Sequence, residues 1–185
     1  MKRFALLTIG IAAASAAIAL AQSTDRVAAG KKAFVDVAKV LQSPRCANCH
    51  PPDDRPRQGD LGKPHAQNIS RKSVEAGVAC TTCHQDRNSE ETIGLAGGPP
   101  GAPHWGLPPA NQMFLGITPS ELCANLKDPS KTGNRDLAQL LDHVQNDALV
   151  KWGWNPGGKR TLPPLTHEKF VAAFKTWVES DGACP

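Results

Sequence analysis

Two short segments of the chain share one pattern: Cys46-Ala47-Asn48-Cys49-His50 and Cys80-Thr81-Thr82-Cys83-His84. C-x-x-C-H is the attachment sequence for c-type haem. Two thiols three positions apart can each form a thioether with one of the macrocycle's two vinyl groups. The adjacent histidine is then held under the ring with an imidazole nitrogen aimed at iron. Two matches in 185 residues predict two covalently bound haem c groups, held by Cys46, Cys49, Cys80 and Cys83, with His50 and His84 as proximal ligands. Other uses of such pairs exist. Two C-x-x-C pairs could form a four-cysteine zinc knuckle, but the gap from Cys49 to Cys80 exceeds the usual linker and His follows both pairs. A thioredoxin-like pair would need a βαβ setting that neither motif has, and structural disulfides remain an alternative.

Four histidines remain to fill or leave open the sixth position on each iron. A weak repeat is visible among them. Lys63-Pro64-His65 follows the first motif and Ala102-Pro103-His104 the second, 15 and 20 residues beyond the proximal histidines (65 − 50 and 104 − 84). Proline restricts the backbone just before each imidazole, which lowers the entropy lost on ligation. His65 and His104 are therefore the first-choice distal ligands, each for its own haem or its neighbour's. His143 lies at the edge of a helical apolar face and is a less favoured ligand, while His167 is expected to be an exposed residue of a helix's first turn. Met113 is the single methionine after Met1. As a thioether ligand it would raise the reduction potential, but a gap-filling position is the more economical expectation. Cys123 and Cys184 are left over, and in an exported protein two spare cysteines usually pair as a disulfide.

The elements that must position these groups are mostly helices. Residues 25–42 carry Val27, Phe34, Val37, Val40 and Leu41 near helical spacing, stopped by Ser43-Pro44 just before the first motif. From Pro51 to Pro109 the chain reads as a long Pro/Gly-punctuated loop, interrupted by the second motif. Loops of this length need an organiser, and two haems would serve. From Ile117 onward the chain is helical again. Thr118-Pro119-Ser120-Glu121 is a helix start with a cap, an early proline and a Glu three places on. A helix fits residues 135–144, with Leu137, Leu140, Leu141 and Val144 on one face. Another fits His167 to Glu179 after the Thr166 cap, with Phe170, Phe174, Trp177 and Val178 as its stripe and Gly182 as its stop. The expected fold is mostly α with extensive loops and little or no sheet, a compact dihaem domain in which the haems form most of the core. Gly and Pro, at 16 residues each, and the lack of tyrosine favour that reading.

The N-terminus indicates the compartment. Lys2 and Arg3 precede an apolar run to Leu20, and Ala19-Leu20-Ala21 offers an A-x-A cleavage site. Residues 1–21 thus read as a secretory signal peptide, with a retained anchor the alternative, and residues 22–185 as the mature domain. Haem c attachment follows export in bacteria, so the expected compartment is the periplasm, with no stable membrane insertion after cleavage. The net charge of +4 falls to +2 without Lys2 and Arg3 (4 − 2), and haem propionates would carry it slightly negative. The basic residues are scattered, which argues against nucleic acid.

The stretch Leu162-Pro163-Pro164-Leu165, followed by Phe170 to Trp177 and Gly182-Ala183, is similar to the end of a class I cytochrome c. Leu162 stands where that class has its methionine ligand, so the likeness stops at packing. More of the chain resembles the small dihaem cytochromes known as isoquinoline 1-oxidoreductase subunits. The matching segments are CANCHPP, GKPHAQN, CTTCHQ, PPGAPHWGLPP, LCANLKDP and DALVKWGWNPG. This resemblance implies an electron-transfer subunit accepting electrons from a molybdenum hydroxylase and passing them to a downstream cytochrome or oxidase. No molybdopterin or iron–sulfur pattern is visible, so it implies no hydroxylase site in this chain. The competing class is an enzyme such as a dihaem peroxidase, which needs one open iron beside an acid or base. The supply of histidines favours the carrier.

Overall fold

A computed structural model describes residues 4–89 and 98–185, with side chains from residue 21 onward. Among the described residues seven helices carry the fold: α1 (Phe4–Leu41), α2 (Pro44–Ala47), α3 (Arg71–Glu75), α4 (Pro119–Leu126), α5 (Leu137–Asn146), α6 (Ala148–Trp152) and α7 (His167–Glu179). The sheet among the described residues is one antiparallel ladder of β1 (Arg57–Gln58) and β2 (Lys63–Pro64). The chain is mostly α.

Of the expected signal segment, residues 1–3 lie outside the described residues, and 4–20 are described as helical backbone continuous with the rest of α1. Among the described residues, no helix is long and apolar enough to cross a membrane. The second half of α1 follows the expected pattern: Phe34, Val37, Val40 and Leu41 are buried, whereas Val27 is 37% exposed. Ser43-Pro44 ends α1 and immediately starts α2, because proline suits the first helical turn.

The expected helix starts have their caps. Thr118 and Glu121 form a reciprocal capping box on α4, and Thr166 accepts from Lys169 N–H on α7. The segment expected at residues 135–144 starts two residues later, because Asp136 takes the cap position and forms a box with Gln139. Helices α3 and α6 were not expected. The first uses Ser73 where a Glu or Gln would have signalled a capping box, and the second starts at Asp147, directly after α5.

Helix α7 packs on α1 and α5, and α4 packs on α1. Between them Phe34, Leu122, Cys123, Phe170, Phe174 and Trp177 are almost completely buried. The chain thus buries a core of its own side chains, and the first cysteine motif touches its edge through Cys46. Few aromatics suffice because they are concentrated on facing helices, where Phe34, Phe174 and Trp177 meet with ring centres 5.0–5.1 Å apart. Cys123 and Cys184 close this core with a disulfide across a separation of 61 residues. His167 is also not the exposed residue expected: its Nε2 hydrogen-bonds Val144 O at 2.9 Å and its ring lies against Trp154, tying α7 to the end of α5.

Candidate haem-binding site

Both cysteine motifs fold as a single tight turn. In the first, Cys49 N–H donates to Cys46 O at 3.1 Å and His50 N–H to Ala47 O at 3.2 Å, continuing α2. In the second, a 3₁₀ turn over Cys80–Thr82 places Cys83 N–H on Cys80 O at 3.2 Å and His84 N–H on Cys80 O at 3.0 Å. A helical turn brings residues i and i+3 to one side, so each pair of thiols is displayed together with its histidine following. The four thiols are free. Burial pushes the thiol pKa of Cys46 up to about 12 and that of Cys49 up to about 11, with Cys49 adding to the first and Cys80 to the second.

The two motif histidines have the same surroundings although their flanking sequences differ. His50 Nδ1 lies 2.5 Å from Gln112 O, and His84 Nδ1 lies 2.7 Å from Pro100 O. A carbonyl only accepts, so Nδ1 carries the proton in each ring and Nε2 keeps its lone pair. Each ring is also covered by an aromatic. Phe114 stacks on His50 at 3.7 Å and 6°, and Trp105 on His84 at 4.5 Å and 4°. Burial holds the His50 pKa down to about 4; the Gln112 carbonyl opposes this, and the charges of His143 and Arg71 add to it. The His84 pKa is also lowered, first by burial, against the Pro100 carbonyl, with His65 and Arg160 adding. Both imidazoles are thus neutral at physiological pH, as metal ligands must be.

A cavity of about 780 Å³ opens between the motifs, lined by Cys49 from the first and by Cys80, Cys83 and His84 from the second. Arg45, Arg57, Lys63 and Arg160 give its wall a positive balance against Asp60. The buried Arg45 holds Asp60 at 2.5 Å yet leaves its Nε without a partner. Arg71 donates through Nη1 to Pro108 O and leaves both Nε and Nη2 buried and unpartnered. Buried cationic donors without acceptors are costly, and an anionic group would satisfy them. An apolar macrocycle bearing carboxylates fits the cavity beside the second motif, with the thiols of Cys80 and Cys83, the neutral His84 and the orphaned Nε of Arg45. Cys46, His50 and Arg71 lie outside its lining. Among the described residues, no three His, Cys, Asp or Glu side chains converge as a structural zinc site requires.

The remaining candidates are spread around this centre. His65 is half-buried, lines the cavity, and its ring centre is 6.0 Å from that of His84. His104 is exposed, has a left-handed backbone (φ 61°), and is not among the cavity's lining residues. The Pro-His repeat is thus not a structural repeat: after Pro103 it is Trp105 that turns toward the histidine of the second cysteine motif. His143 is half-buried on α5 with Nδ1 3.5 Å from Asp147 Oδ2, and its charge reaches His50. Met113 is half-buried between Gln112 and Phe114, the two residues that hold His50. Sequence reasoning did not find Phe114, Trp105, Arg71 or the two carbonyls, because a stacking partner or a carbonyl has no fixed spacing from the motif it serves. No family model matches the chain, and neither a curated protein nor a solved structure shows significant similarity to it.

Proposed function

We propose that the chain is an electron-transfer protein carrying two covalent c-type haems in the periplasm. The observation that carries this reading is the matched setting of His50 and His84, each fixed by a carbonyl on Nδ1 with Nε2 free, directly after a paired-thiol turn. Cys46 and Cys49 would hold one haem and Cys80 and Cys83 the other. Haem c so held supplies one-electron transfer at its iron. The carbonyls of Gln112 and Pro100 fix the tautomer and orientation of the ligating rings, as partners of metal-bound histidines do. Phe114 and Trp105 restrict ring rotation from the other side. Arg71 and Arg45 would donate to haem propionates from their unpartnered N–H groups.

The sequence resemblance supports a molybdenum hydroxylase-type dehydrogenase as electron donor, with a downstream cytochrome or oxidase as acceptor. The apolar N-terminal run after Lys2-Arg3 supports export, and export would bring attachment and electron transfer into one compartment. The test is the mass of the chain purified from a host able to attach haem c. After denaturation it should exceed the polypeptide mass by two haems, and each pair of Cys→Ser changes should remove one. A denatured chain of bare polypeptide mass would refute the reading.

A further inference from the structure

We infer that His65 is the distal ligand of the haem attached to the second motif, Cys80–His84, although it follows the first motif in sequence. The inference rests on the dihaem reading above and assigns a ligand within it. His65 and His84 face one cavity with ring centres 6.0 Å apart. Two imidazoles on opposite sides of one metal, at about 2 Å per bond with ring centres about 1.2 Å behind the nitrogens, stand about 6 Å apart. The tautomer is also right. His65 Nδ1 lies 2.8 Å from Ala66 O and donates to it, which leaves Nε2 as the lone-pair nitrogen, as in both motif histidines.

The local fold explains the crossing. After the first motif the chain enters the β1–β2 hairpin, pinned to that motif by Arg57 N–H on Asn48 O at 2.8 Å and by the Arg45–Asp60 pair at 2.5 Å. The hairpin ends with His65 N–H on Pro56 O at 2.9 Å and Ala66 N–H on Gln58 Oε1 at 3.0 Å. These bonds fix the backbone on both sides of the imidazole and set it in the same cavity as Cys80, Cys83 and His84. His104, the alternative for this iron, is exposed and outside the lining. The second haem would thus be held by groups from both motif segments, and the second segment would not complete its site alone.

The test uses the full dihaem protein and reads spin state by absorption and electron paramagnetic resonance. His65→Ala should keep both haems attached by mass, convert one low-spin haem to high spin and gain one equivalent of carbon monoxide binding. Added imidazole should restore the low-spin spectrum. His65→Met, which keeps the hairpin, should give a thioether-ligated haem of raised potential. Double variants identify the haem: His65→Ala/His84→Ala should perturb one haem per chain, and His65→Ala/His50→Ala should perturb both. An unchanged spectrum in His65→Ala with loss of a low-spin haem in His104→Ala would overturn the inference. So would the reverse pattern in the double variants. Loss of haem mass from the parent protein would instead refute the dihaem reading itself.

Discussion

The indole of Trp105 lies parallel to the imidazole of His84, with ring centres 4.5 Å and planes 4° apart, and Trp152 meets the same indole edge-on at 4.8 Å. Trp152 is itself fixed through Nε1 to Asn88 Oδ1 at 2.8 Å. The second cysteine motif therefore leans on α6, an element more than 60 residues later in the chain. Trp105→Leu should leave both haems attached. The lost stacking is worth about 1 kcal/mol beyond area, which for a chain of this size lowers Tm by about 2–4 °C. One haem's paramagnetic resonance signal should broaden or shift as His84 gains rotational freedom, and the other's should stay fixed. Equal effects on both signals would contradict the assignment of Trp105 to His84.

Gly30 of α1 lies where a side chain would overlap Ser180, the residue capping the end of α7. Ser180 cannot turn away freely, since its hydroxyl donates to Trp177 O at 2.6 Å and accepts from Ala183 N–H at 3.2 Å. Gly30→Ala should force the two helices apart at a cost of roughly 1–3 kcal/mol, read as a fall in Tm or in denaturant midpoint. Adding Ser180→Gly should recover part of that loss, because it removes the other half of the collision. No recovery in the double variant would mean that the helices are held apart by another contact.

How far this could be read in advance depended on the range of the interactions. The cysteine turns, the caps at Thr118 and Thr166 and the stripe of α7 are local patterns, and the chain forms them where the sequence places them. The Cys123–Cys184 pair was accessible by elimination. Helix α6 was missed because Asp147 serves at once as the end of α5 and the cap of the next helix. The distinct surroundings of His65 and His104 were invisible for a different reason. Both follow proline in a loop, and only the long-range bonds of the β1–β2 hairpin set one against the cavity and leave the other in solvent.

The disulfide should contribute substantially, because it ties α4 to the C-terminus across a separation of 61 residues. Chain-entropy reasoning for a loop of that length gives about 4 kcal/mol. Cys123→Ser/Cys184→Ser should lower the denaturant midpoint accordingly, and reducing agent should lower the parent's midpoint but not the variant's. Haem attachment should persist, since neither residue lines the cavity between the motifs. A variant that loses haem would tie the disulfide to cofactor retention instead.

Arg71 offers two buried donors, Nε and Nη2, with no partner in the polypeptide, and its charge reaches His50. If these donors bind a propionate of the first haem, removing them leaves that carboxylate uncompensated near iron. Negative charge favours the oxidised iron, so Arg71→Gln should lower one of the two reduction potentials, by roughly 50 mV, with Arg71→Lys intermediate. Redox titration followed in the visible spectrum would resolve this as a shift of one wave. Unshifted potentials would assign the orphaned donors to something other than a propionate.

The thiols of the two motifs should differ in reactivity before haem is attached. The helical core of α1, α4, α5 and α7 does not include the cavity, so the haem-free chain has a basis for folding on its own. Folded, it holds Cys46 and Cys49 as protonated thiols, with pKa values raised to about 12 and about 11 chiefly by burial, while Cys83 is exposed. Only the thiolate is nucleophilic, and at pH 8 its fraction would be about 10⁻⁴ for the first and about 10⁻³ for the second. In the reduced, haem-free protein, iodoacetamide at pH 8 should therefore label Cys83 well before Cys46 or Cys49. The Cys46 rate should rise about tenfold per pH unit up to pH 10, whereas an ordinary thiol levels off near pH 9. Urea should abolish the difference. The consequence is an order of events: thioethers at the first motif form while its segment is still open, because folding ahead of attachment would silence both thiols. Equal labelling of all four cysteines in the folded chain would show that the first motif stays open until haem arrives.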